Sequence, residues 1–121
     1  MAASIWAWSP AILWMALIFA FSAQSSPPIP SLGDHVLDFV VRKAGHFTEY
    51  LILALLLYRP LRQHKQAFLL AFLITSLYAV SDELHQFCVP GREAHVRDWI
   101  IDSAGAALAL GMVRLRGDDT I

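Results

Sequence analysis

The sequence predicts an all-α fold: a membrane-embedded four-helix bundle with a short interfacial helix or loop after the first span. Three observations lead there. Hydrophobic residues make up 57% of the chain and charged residues 16%, against about 45–50% and about 25% in soluble domains. At 121 residues the chain is one domain, 1–121, and small soluble domains bury too little of their surface to hide so much apolar side chain. Apolar stretches fall at about 5–23, 44–61, 66–86 and 98–113, each near the roughly 20 residues that a helix needs to cross a bilayer. The net charge of −1 argues against a nucleic-acid partner and leaves the lipid bilayer as the expected surroundings. The single Cys88 excludes an internal disulfide.

The first stretch, Ile5 to Ala23, has no ionisable residue and carries Trp6, Trp8, Trp14, Phe19 and Phe21. No Lys or Arg precedes it, and Phe21 is bulky where a signal-peptide cleavage site wants a small residue, so it is read as a retained span. Pro27, Pro28 and Pro30 make Ser22 to Ser31 an irregular loop. Asp34 to Val41 alternates acids with apolar residues at helical spacing, as in a short helix lying in the interface. The second, third and fourth stretches reach spanning length only if Glu49, Ser81, Asp82 and Asp102 are counted inside them. Arg59, Arg62 and Lys65 link stretches two and three, and Arg114 and Arg116 follow stretch four. By the positive-inside rule that side is cytoplasmic, with both termini inside. Arg42, Lys43, Arg92 and Arg97 lie at the opposite side, within or beside clusters of other polar residues.

Those clusters are the feature to explain. Lys43, His46, Glu49 and Tyr50 open the second stretch. Ser81, Asp82, Glu83, His85 and Gln86 close the third, followed by Pro90-Gly91-Arg92. Asp98 and Asp102 open the fourth. At about 100° per residue, Lys43, His46 and Tyr50 share a helix face with Glu49 at its edge. Tyr78, Asp82, His85 and Gln86 share another, with Glu83 to the side. Asp98 and Asp102 stand one turn apart above Gly105 and Ala109, whose small side chains let a neighbouring helix come close. Five carboxylates facing lipid would cost on the order of 10–15 kcal/mol at most, as much as the whole stability of a domain. They are therefore expected to face one another, water, Lys43, Arg92 or a ligand. Taken singly, each has a plain structural reading: helix N-terminal acids, interface aromatics, a turn at Pro90-Gly91. Three clusters at one face read as one site.

Lys43-x-x-His46-x-x-Glu49-Tyr50, Ser81-Asp82-Glu83-x-His85-Gln86 with Pro90-Gly91-Arg92, and Asp98 with Asp102 together resemble the pattern of the VanZ-like family. Ser22-Ala23-Gln24 resembles that family's Ser-x-Gln. The resemblance covers nearly the whole chain. It implies a small bacterial integral membrane protein of the cytoplasmic (inner) membrane, tied to tolerance of teicoplanin-like glycopeptide antibiotics, and it names no reaction.

Two functions are carried forward. In the first, the site binds a lipid-linked or amphiphilic envelope component, such as an envelope precursor or a lipophilic glycopeptide. Lys43, Arg92 and Arg97 would hold a phosphate or carboxylate, with Tyr50, Ser81, Glu83, Gln86, Asp98 and Asp102 lining the site. In the second, the site is an enzyme's, and Glu49 or Asp82 with His46 or His85 supplies the acid and base acting on a head group. No Gly-x-Ser-x-Gly or Ser-x-x-Lys signature occurs. No cofactor is predicted. A divalent metal is possible by ligand type at His46, Glu49, Asp82, His85, Asp98 and Asp102, although no His-Glu-x-x-His occurs. A proton-coupled carrier ranks last, since four spans are few and no inverted repeat is visible.

Overall fold

The computed structural model describes residues 5–22, 33–89 and 96–116. They form four helices: α1 (Ile5–Ser22), α2 (His35–Leu61), α3 (Ala67–Phe87) and α4 (Val96–Arg116). No strand occurs among the described residues. The helices run up, down, up, down. The central pair, α2 and α3, each touch all the others, whereas α1 and α4 make no contact within the described residues. All three polar clusters therefore lie at one end of the bundle, and the Arg59–Lys65 link and Arg114 lie at the other.

Local chemistry explains the elements. In α1, Pro10 has no N–H to give the carbonyl four residues back, and the Ser9 hydroxyl donates to that Trp6 carbonyl instead, at 3.1 Å. Asp34 caps α2: its side chain accepts from the N–H groups of Val36 (2.8 Å) and Leu37 (3.1 Å). The chain enters that cap through Gly33 at φ +80°, a left-handed conformation natural to glycine. The short helix expected over 34–41 does form, but as the first turns of α2. Nothing in Arg42-Lys43-Ala44 breaks a helix, and the single Gly45 costs too little to interrupt one. At 27 residues, α2 is about 40 Å long. Turn bonds from His64 N–H to the Leu61 carbonyl and from Ala67 N–H to the His64 carbonyl close the link to α3.

Polar side chains are buried at one end of the bundle while many large apolar side chains lie outside. The outward face of α3 is Leu69, Leu73, Leu77, Val80, Leu84 and Phe87, all exposed. Its buried positions include Thr75, Ser76, Asp82, Glu83 and Gln86. Ile12, Leu13, Leu17 and Phe19 of α1 and Ile100, Leu108 and Met112 of α4 are likewise exposed. Ala67–Phe87 is long and apolar enough to cross a membrane, and Ile5–Phe21 is apolar but shorter. The half of the core away from the polar clusters is apolar and close-packed: Leu53, Ala54, Leu57, Ala71, Ala106, Ala109, Leu110 and Val113 are all buried. Gly105 sets the spacing of α2 and α4. A Cβ there would collide with the Phe47 carbonyl oxygen and lie 3.3 Å from the Phe47 carbonyl carbon.

Candidate functional site

Two helices running the same way, α2 and α4, place the site's rim. Lys43 of α2 forms an ion pair with Asp98 of α4. Arg97, with its side chain 56% exposed, brings Nε to 4.0 Å from the same Asp98 oxygen. Both cations lie against the ring of Phe39, Lys43 Nζ at 5.4 Å and the Arg97 guanidinium carbon at 5.0 Å from its centroid. Such cation–ring contacts hold two like charges side by side at modest cost. Phe39 stands one turn before Lys43, which is why it reaches the same patch.

One turn deeper, His46 bridges the helices. Its Nδ1 is 3.7 Å from Glu49 Oε1 and 3.9 Å from Asp102 Oδ1. Asp102 is fully buried, and neither of its oxygens has a hydrogen-bond partner among the described residues. Buried Tyr50 donates its hydroxyl to Asp82 Oδ2 at 2.9 Å, and Gln86 Nε2 reaches the same oxygen at 3.4 Å. Asp82 Oδ1 has no such partner among the described residues.

A neutral network closes the floor. Trp99 Nε1 donates to Ser76 Oγ at 3.0 Å, and Ser76 and Ser103 share a hydrogen bond of 3.0 Å. Below this, Thr75 satisfies its hydroxyl on the Ala71 carbonyl of its own helix at 2.8 Å. The apolar half of the core follows, so the polar column ends part-way through the bundle.

The third helix divides its polar residues between partners. Asp82 and Gln86 face α2, while Ser76 faces α4. Tyr78 and His85 face α1: the Tyr78 hydroxyl donates to the Met15 carbonyl, and His85 stacks on Phe19 with centroids 4.2 Å apart. Trp14 completes this seam by donating its indole N–H to the Glu49 carbonyl at 2.8 Å. Of the residues expected at the site, Lys43, His46, Glu49, Tyr50, Asp82, Glu83, Gln86, Asp98 and Asp102 come together. Glu83, expected at the side, is buried, because α3 packs on three helices and its sides are covered too. His85 belongs to the α1 seam. Ser81 is exposed and donates to the Tyr78 carbonyl of its own helix at 2.7 Å, away from the cluster. Arg92 and Pro90-Gly91 lie outside the described residues.

Ser76, Trp99 and Phe39 were not singled out from sequence. Ser76 precedes Glu83 by seven positions and shares its face, which is the signal that would have found it. Among the described residues, no three His, Cys, Asp or Glu side chains are grouped to hold a metal ion. The arrangement offers an exposed cationic rim, a buried carboxylate-rich interior and an imidazole between two carboxylates.

The VanZ/LLP1 family model matches residues 7–117, and the chain belongs to that family. No curated protein and no solved structure matches it.

Proposed function

We propose that this VanZ-family chain is a multi-pass protein of the bacterial inner membrane that binds the anionic head group of an amphiphilic cell-envelope component, and so contributes to glycopeptide tolerance. The observation that carries this reading is the burial of carboxylates, hydroxyls and a carboxamide at one end of the bundle while large aliphatic side chains of α1, α3 and α4 lie outside. The exposed stripe of α3 from Leu69 to Phe87 is about 27 Å long, close to the roughly 30 Å of a bilayer's hydrocarbon core. In water, so large an apolar surface would be a liability. In lipid, it is the low-energy arrangement, and the buried polar groups become the costly ones that mark a site.

The rim gives the site its ligand class. Lys43 and Arg97 are held together by one carboxylate and one aromatic ring. They present one more positive than negative charge where head groups lie. Arg97 has the planar fork suited to phosphate or carboxylate. The positive-inside bias of Arg59, Arg62, Lys65, Arg114 and Arg116 supports an extracytoplasmic rim, with both termini cytoplasmic. The apolar lower core favours a site fed from one face over a path across the membrane.

The test is native mass spectrometry of the full chain purified from membranes in mild detergent. A phosphate- or carboxylate-bearing amphiphile retained by the wild type and lost from Lys43→Gln is expected. Release of the protein from membranes by carbonate wash, or no retained amphiphile, refutes the reading. A second reading, an enzyme acting on the head group, is favoured by His46 standing between Glu49 and Asp102, as an acid–base group would. It requires the retained lipid to change mass on incubation, and His46→Gln to stop that change while binding persists.

A further inference from the structure

We infer that the end of the bundle opposite the rim docks the head group of an anionic phospholipid of the adjacent leaflet, at Arg114 and the cations grouped around it. The inference rests on the membrane placement proposed above and not on what the rim binds. Its starting point is a separation of charge along the bundle. Every described Asp and Glu lies in the half that holds the rim. The opposite end carries Arg59, Arg62, Lys65, Arg114 and Arg116, all exposed. Arg59, Lys65, Arg114 and Arg116 make no ion pair among the described residues. Asp118 and Asp119, the nearest acids in sequence, lie outside them.

A stack of side chains gathers these cations. The Arg114 guanidinium carbon lies 5.8 Å from the centroid of the Phe68 ring. Phe68 in turn stacks on Tyr58, with centroids 4.9 Å apart and 30° between the ring planes. Tyr58 is fully buried, so the stack is anchored in the core. It joins the last turns of α2 and α4 to the first turn of α3, and the cation–ring contact holds the guanidinium in place. The other four cations each stand within four residues of a member of the stack: Arg59 and Arg62 of Tyr58, Lys65 of Phe68, and Arg116 of Arg114. Helix dipoles explain part of this grouping, because Arg59, Arg114 and Arg116 lie in last turns. They do not explain Lys65, which stands two residues before α3, at the end where the dipole disfavours a cation.

The same turns carry apolar side chains that face outward. Leu115, 89% exposed, stands between Arg114 and Arg116, and Leu69, next to Phe68, is 50% exposed. A soluble anion or a nucleic acid would leave these side chains in water. A phospholipid covers them with acyl chain while its phosphate reaches the cations. Depth fits as well. The Trp14 indole donates to the Glu49 carbonyl, and α1 and α2 run in opposite directions. Eight residues, about 12 Å, lead from Trp14 to Trp6 and from Glu49 to Leu57, beside Tyr58. Trp6 is exposed, so a tryptophan of the kind found at membrane interfaces stands at the level of the stack. Head-group phosphates lie at that level.

The experiment titrates the full chain in detergent with phosphatidylglycerol and phosphatidylcholine of identical acyl chains and reads retained lipid by native mass spectrometry. Both lipids have the phosphate, and only the first has a net negative charge. The wild type is expected to retain phosphatidylglycerol over phosphatidylcholine by about tenfold or more, since each cation near the head group contributes about fivefold. Lys43→Gln should keep a preference of about fivefold or more, whereas Arg114→Gln should lower the wild-type ratio by about fivefold. Lys65→Gln, whose side chain is exposed and unpaired among the described residues, reads the same ratio should Arg114→Gln not fold by circular dichroism. A preference abolished by Lys43→Gln and unchanged by Arg114→Gln and Lys65→Gln overturns the docking surface and leaves the head-group reading of the rim standing. A preference unchanged by Lys43→Gln and lowered by Arg114→Gln supports the surface whatever the rim binds. Nucleic acid retained by the wild type and lost from Arg114→Gln, with the two lipids held equally, gives this end to that partner and overturns the lipid assignment. Release of the protein from membranes by carbonate wash overturns both readings.

Discussion

Gly105 and Gly111 lie on the same helix, and the structure gives the same substitution opposite signs at the two positions. A Cβ added at Gly111 meets nothing within 4 Å, while one at Gly105 runs into the Phe47 carbonyl oxygen, with the Leu51 nitrogen at 3.4 Å. Alanine is favoured over glycine inside a helix by about 1 kcal/mol. Gly111→Ala should therefore stabilise by about that amount. At Gly105 the same gain is opposed by overpacking, which costs about 1–3 kcal/mol. The upper end applies, because the obstacle is helix backbone and cannot rotate away. The net expectation is a destabilisation of about 1–2 kcal/mol, so the two variants should differ by about 2–3 kcal/mol. Gly105 is also three residues after Asp102, so prising α4 from α2 should lengthen the His46–Asp102 and Lys43–Asp98 contacts and weaken ligand retention. Denaturant titration in detergent micelles, followed by circular dichroism, measures both stabilities. A Gly105→Ala variant as stable as Gly111→Ala, or more stable than wild type, would refute the close approach of α2 and α4 on which the site geometry depends.

Tyr50→Phe should cost about 1–3 kcal/mol, because it leaves buried Asp82 Oδ2 with only Gln86 at 3.4 Å; an unchanged denaturation midpoint would contradict that bond. Trp14→Phe removes the donor to the Glu49 carbonyl and should cost about 0.5–1.5 kcal/mol, with faster proteolysis of α1 as the readout; equal cleavage rates would place the docking of α1 elsewhere. On a Cys88-replaced background, a cysteine at position 63 should resist an impermeant thiol reagent in intact cells while one at position 42 reacts. The reverse pattern would invert the proposed orientation.

Much of this was legible because the chain punctuates itself. Prolines at 27, 28 and 30, the basic Arg59–Lys65 link and Pro90-Gly91 separate four apolar stretches, and the four described helices fall on them. Helical spacing then placed Lys43, His46, Tyr50, Asp82, Asp98 and Asp102 on inward faces. What failed to show was anything that depended on which neighbour covers which side. A helical wheel with one inward face puts Glu83 at a flank, yet α3 has three packed sides. Proximity in sequence alone puts Ser81 in the cluster. It falls four positions after Leu77 and three before Leu84, within the outward stripe, and the wheel alone could have said so. The rim depends on Phe39, an aromatic assigned to a separate interfacial helix. Only the continuity of α2 brings it one turn above Lys43.

The two halves of the core divide the work of holding such a site. Neighbouring carboxylates repel, and the cross-helix contacts of Lys43, His46 and Tyr50 in the polar half work against that repulsion. The apolar half supplies the constraint. Gly105 lets α4 meet the backbone of α2, and Ala71, Ala106 and Ala109 are buried with Leu53, Leu57 and Leu110 below it. Small residues packed this way fix helix spacing through van der Waals contact, which charge repulsion a turn or two away does little to stretch. The hydrogen bonds of Ser76 with Trp99 and Ser103, and of Tyr50 with Asp82, join three helices at the boundary between the halves. The polar half is thus assembled before any ligand arrives. Binding of the proposed head group would then cost little reorganisation.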